Sequence, residues 1–230
     1  MKNIIYIAFC FGIYLSSFAQ EKQQEKLFSV QMRTHFKKYA QQADFAYQTK
    51  NYKAADTLFR HFINTNLINT KFIDFKAKNL NGSLINIETY FKKPVILITY
   101  SSWCVRSENE ITKLNSLAKE LNKKIDFVVL FWDDYNTARK SAKAFNKYIT
   151  VLYINERENT FAKEVGTLKQ TLGYPLTLYV NNENKIVDIT KKTPSYKIYT
   201  GNTTNTYFQN GLSALLVNAE TSPTDGIAKK

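Results

Sequence analysis

Cys104 is the residue whose type and setting could do the most chemistry. It follows Ser101-Ser102-Trp103 and precedes Val105-Arg106-Ser107. As a thiolate, cysteine attacks disulfide sulfur, and its reactivity depends on how far its pKa is lowered from about 8.5. The flanking residues say what positions it. Pro94 opens an apolar, β-branched run from Val95 to Thr99, which predicts a fully buried strand. Beyond the cysteine, Ile111, Leu114, Leu117, Ala118 and Leu121 recur at three and four, which predicts an amphipathic helix. Cys104 therefore stands where a buried strand gives way to a helix. Unpaired N–H groups at a helix start carry roughly half a positive charge and favour an anion. Arg106 adds to that field, whereas Glu108 and Glu110 oppose it. The alternative is that Cys104 is a small buried hydrophobe.

Other groups offer less. The two histidines, His35 and His61, fall far upstream, so a Cys–His nucleophilic pair would have to be assembled in space. Asp133-Asp134 could do acid–base work, but their place between an apolar run and a helical pattern suits a helix cap better. No cysteine or histidine cluster has metal-ligand spacing, and the seven glycines form no phosphate loop. No metal or other cofactor is expected.

Ser102-Trp103-Cys104-x-x-Ser107-x-x-Glu110 resembles the S-W-C-x-P-C-R-x-E active-site turn of the thioredoxin-like fold. More closely, it is similar to that of the secreted bacterial TlpA-like thiol–disulfide oxidoreductases. Downstream, Leu172-Gly173-Tyr174-Pro175-Leu176-Thr177-Leu178-Tyr179-Val180 and Lys185 to Ile189 resemble that family's hairpin, whose proline is cis and faces the cysteine. Phe72 to Phe75, the Asn79-Leu80-Asn81-Gly82 turn and Leu84 to Ile87 resemble its opening hairpin. The resemblance covers roughly residues 71–195. It implies Cys104 as nucleophile, Pro175 as the cis proline, Tyr174 lending backbone to an incoming peptide, and Trp103 and Tyr174 rimming the sulfur. Arg106 takes the place of the motif proline and is expected beside the substrate. Ser107 stands where the resolving cysteine would be, and Ile98 where thioredoxins carry a buried acid.

The chain's 230 residues, 44% of them apolar, are enough for one domain with a sizeable core plus an appendage. Lys2, the apolar run Ile4 to Leu15 and small residues near Ala19 predict a secretory signal peptide over 1–19. The run is too short for a span of about 20 residues. Signal removal would take Cys10 with it and leave Cys104 as the only cysteine. Residues 20–68 read as a helical extension, part of it similar to a single tetratricopeptide unit. Residues 69–195 read as the thioredoxin-like domain, 196–220 as a C-terminal helical segment and 221–230 as a tail. Strands alternating with helices predict an α/β fold, a central mixed sheet flanked by helices. The +13 formal charge is spread over single and paired lysines without a nucleic-acid motif, so a solvated basic surface is expected and nucleic acid is not.

These observations predict an exported periplasmic or envelope protein that exchanges thiols with exported proteins through one cysteine, with an external thiol as reductant. Two alternatives are a redox-inactive binding module using the same groove, and a peroxiredoxin-like peroxidase. For the latter, Ser101 stands three before the cysteine, but Trp103 fits that context poorly.

Overall fold

The computed structural model describes residues 25–90, 92–104, 108–191 and 211–217. The expected signal peptide, the expected tail, and Arg106 and Ser107 lie outside the described residues.

The N-terminal segment forms two helices, α1 (Phe28–Gln48) and α2 (Tyr52–Phe62), and the second continues into a π turn at Ile63–Leu67. Asn51 caps α2 by accepting the Ala54 N–H at 3.1 Å, the role that short polar side chains fill at helix starts. The sequence predicts a strand over Phe72 to Phe75, and here the structure differs. Asp74 takes a left-handed φ of 69°, which breaks the alternation of a strand. The Phe72 and Phe75 rings stack at 4.5 Å, with Phe28 edge-on to Phe72 at 5.3 Å. Aromatic packing overrides strand pairing at this point.

Strand β1 (Lys76–Asn79) then pairs with β2 (Leu84–Asn86) across a turn in which Gly82 supplies a φ of 83°. The rest alternates: β3 (Val95–Tyr100), α3 (Glu108–Leu121), β4 (Asp126–Phe131), α4 (Tyr135–Ala142) and β5 (Ile149–Tyr153). Helix α4 ends at Ala142. Asn115 of α3 donates to the Ala144 carbonyl at 2.9 Å and accepts the Asn146 N–H at 2.9 Å, so the chain turns away there. A helical segment α5, residues 159–172, passes through 3₁₀, α and π turns in succession. Strands β6 (Leu176–Val180) and β7 (Ile186–Lys191) close the fold as a hairpin, and residues 211–217 are helical.

The sheet order is β2-β1-β5-β4-β3-β6-β7. Strands β3, β4 and β5 run parallel, while β6 and β1 are antiparallel to their neighbours. This is a thioredoxin-like α/β fold. Side-chain alternation along the central strands sorts the core into two layers. Val95, Leu97, Val128, Leu130, Leu176 and Leu178 face α1, α2 and α5. Ile96, Ile98, Phe127, Val129 and Tyr179 face α3, α4 and the 211–217 helix. Each face buries a helix layer, so β3 and β4 are near-continuous apolar runs, broken only by Thr99 in β3 and by Asp126 at the start of β4.

Candidate functional site

Strand β3 delivers the chain to the site. Its last residue, Tyr100, is buried, and its hydroxyl donates to the buried Glu110 carboxylate at 2.8 Å. After Ser101 the backbone turns, with the Cys104 N–H donating to the Ser101 carbonyl at 2.9 Å. Cys104 is half-buried against the α3 side of the core, four residues ahead of Glu108, where α3 begins. Trp103 is 67% exposed.

Asp133, just beyond β4, fixes this turn from the side. One carboxylate oxygen accepts the Ser102 N–H at 2.8 Å and the other accepts the Ser102 hydroxyl at 2.6 Å. The adjacent Asp134 does a different job. It caps α4, accepting the Thr137 N–H at 3.1 Å and hydroxyl at 3.0 Å. Those bonds, the backbone one foremost, hold its carboxyl below the usual carboxylate range. Of the pair, the sequence finds only the capping role. The Asp133–Ser102 contact joins segments far apart in the chain and leaves no local signal.

The facing loop comes from the start of β6. Gly173 has a φ of 77°, and the Tyr174–Pro175 peptide bond is cis. The Leu176 N–H donates to the Thr99 hydroxyl at 3.2 Å, tying this loop to the last turn of β3. The Trp103 and Tyr174 rings meet edge-to-face at 4.9 Å and 73°, a favoured aromatic geometry. Thus the residue before Cys104 touches the residue before Pro175. The Lys169 ammonium of α5 lies 5.5 Å from the centroid of the Tyr174 ring, and Lys169 pairs with Glu156.

The fold therefore gathers Cys104, Trp103, Tyr174 and Pro175 at one place. Position 98 is a buried isoleucine on the α3 side, so no carboxylate stands there. His35 and His61 are exposed on the helical hairpin. Among the described residues, no three His, Cys, Asp or Glu side chains converge as a metal site, and no helix is long and apolar enough to cross a membrane.

Residues 68–189, more than half of the chain, match the AhpC/TSA family. An uncharacterised protein of Haemophilus influenzae is 22% identical over 115 residues, half of this chain and 74% of that one. Among solved structures, a putative thiol:disulfide interchange protein DsbE from Chlorobium tepidum is 18% identical, with 63% of this chain and 95% of that one covered and a TM-score of 0.48. An uncharacterised thioredoxin-like protein from Porphyromonas gingivalis is 14% identical, with 62% and 90% covered and a TM-score of 0.46.

Proposed function

The chain belongs to the AhpC/TSA family, and from that premise we propose that it is an envelope protein exchanging thiols and disulfides with exported proteins through Cys104 alone. The observation that carries this is the Trp103–Tyr174 contact, which sets the cysteine turn against the Pro175 loop. A disulfide-bearing peptide lying along Tyr174 would bring its sulfur to Cys104. The Cys104 thiolate attacks one sulfur of that disulfide, a mixed disulfide forms, and the other sulfur leaves as a thiolate. With serine at position 107, the mixed disulfide is resolved by an external thiol. That thiol attacks the client sulfur or Cys104 and yields a new disulfide plus a thiolate. Export follows the signal peptide expected over 1–19.

The test is the pH dependence of Cys104 alkylation in the chain lacking 1–19. A rate already at plateau by about pH 7 is expected for an activated thiolate. A rate still climbing through about pH 8.5 would overturn the exchange reading. A second reading, a redox-inactive binding module, draws on the 67% exposure of Trp103, a large apolar surface beside the groove. It is distinguished by Cys104→Ser, which abolishes trapped mixed disulfides under the first reading and leaves partner capture unchanged under the second.

A further inference from the structure

Lys169 is a charged side chain in a place that disfavours charge. It closes the π turn Val165–Lys169 of α5, where Val165 and Leu168 are buried, and its own side chain is 12% exposed. A lysine so covered needs a counter-charge. Glu156, in the loop after β5, supplies it as an ion pair. A methionine would fill the same space with no charge to compensate, so packing alone does not explain the residue. What the cation adds is its second contact, with the Tyr174 ring at 5.5 Å. That lies inside the roughly 6 Å over which an aromatic face attracts an ammonium.

These contacts run in series. Glu156 braces the Lys169 ammonium, the ammonium lies against the Tyr174 ring, and Tyr174 meets Trp103 edge-to-face at 4.9 Å. Trp103 is joined directly to Cys104, and Tyr174 opens the cis peptide bond to Pro175. With Trp103 67% exposed, most of its surface faces away from the protein, so the Tyr174 contact is a large part of what orients it. We propose that Lys169, braced by Glu156, is a positioning residue for the thiol site: through the Tyr174 ring it sets the Trp103 rim against which a peptide disulfide is presented to Cys104. The peptide half of this statement rests on the thiol-exchange reading. The Lys169–Tyr174–Trp103 series does not.

The experiment uses the chain lacking 1–19 and a double-mutant cycle between Lys169→Met and Tyr174→Leu. Acrylamide quenching of tryptophan fluorescence reads the rim without thiol chemistry: of the two tryptophans, Trp132 is 3% exposed, so the quenchable signal is that of Trp103. Exchange is followed with 2-hydroxyethyl disulfide, which is small and neutral, and with a disulfide-linked peptide. Lys169→Met is expected to raise Trp103 quenching and to slow peptide exchange about two- to fivefold, with the small disulfide unaffected. Lys169→Arg, which keeps a cation for both partners, is expected to restore both readouts. Glu156→Gln, a half-exposed change that leaves the packing of α5 in place, should move them the same way as Lys169→Met. In the Tyr174→Leu background, Lys169→Met should add nothing. Trp103 quenching unchanged in either single variant at Lys169→Met or Glu156→Gln, or a failed arginine rescue, overturns the proposal. So does a loss that persists without the Tyr174 ring, or an equal slowing of the small disulfide, since the ammonium would then act on the thiolate directly. If wild-type protein exchanges with neither disulfide while the quenching cycle holds, the exchange reading fails and the positioning role stands. Normal exchange with a flat quenching cycle does the reverse.

Discussion

Asp133 and Asp134 are neighbours of identical type with separate effects, and the separation can be measured. Asp134 bonds within its own helix, so its loss is felt at the start of α4. Asp133 bonds back to Ser102, two residues ahead of Cys104, through both the backbone and the hydroxyl. Each substitution by alanine is expected to lower the urea midpoint, Asp134→Ala through a lost helix cap and Asp133→Ala through lost charged hydrogen bonds. Only Asp133→Ala should also shift the pH profile of Cys104 alkylation, because only it releases the turn that orients the thiol. Asp133→Asn keeps an acceptor for one of the two donors and should lie between. If both alanine variants leave the alkylation profile untouched, the turn holds its shape without Asp133.

Between elements, the packing of α1 on α2 turns on Tyr39, whose ring stacks on Phe62 at 4.6 Å and 13°. Because its folded pKa is raised to about 12, chiefly by burial, the folded state keeps the phenolic proton longer than the unfolded chain does. The associated stability is fully present below about pH 10 and is lost as pH rises through about 12. Wild-type protein should therefore lose stability more steeply than Tyr39→Phe across that window, as read from urea midpoints. Parallel curves would mean that Tyr39 titrates as it does in the unfolded chain. The same element scale explains what was legible in the sequence. Strand β3, the Cys104 turn, the Pro175 hairpin and α3 could be read because each signal is local, a period or a short motif. The Phe72–Phe75 segment misled because two phenylalanines spaced like strand residues instead stack on one another under Phe28. The end of α4 at Ala142 depends on Asn115, and the Cys104 turn depends on Asp133; neither pairing writes a pattern into its own neighbourhood.

At the scale of the molecule, the helical segment and the sheet share one core. Phe28 is 0% exposed and belongs to the same buried cluster as Phe59, Phe72, Leu176 and Ile189. The segment joining helices to sheet is itself stitched on both sides. The Phe28 N–H donates to the Lys71 carbonyl at 2.9 Å and the Lys71 N–H to Lys26 at 2.8 Å; Asn69 and Thr70 pair with Ile186 at 2.9 and 3.0 Å. Arg60 adds a clamp from α2 to the outer strand, donating to Asp188 at 3.0 Å and to the Ile189 carbonyl at 3.1 Å. A hinge needs a length of backbone without such partners, and this joint has none to spare between 69 and 72. Phe28→Ala should then cost about 3–5 kcal/mol, the range for emptying a buried aromatic site. The loss should appear as a lower midpoint for a single transition followed by tryptophan fluorescence and by circular dichroism together. If the helices were an independent appendage, the variant would instead show an early helical transition while the sheet unfolded at the wild-type midpoint. Coincident loss is the outcome the shared core requires, and it would fix α1 to the sheet that carries Cys104.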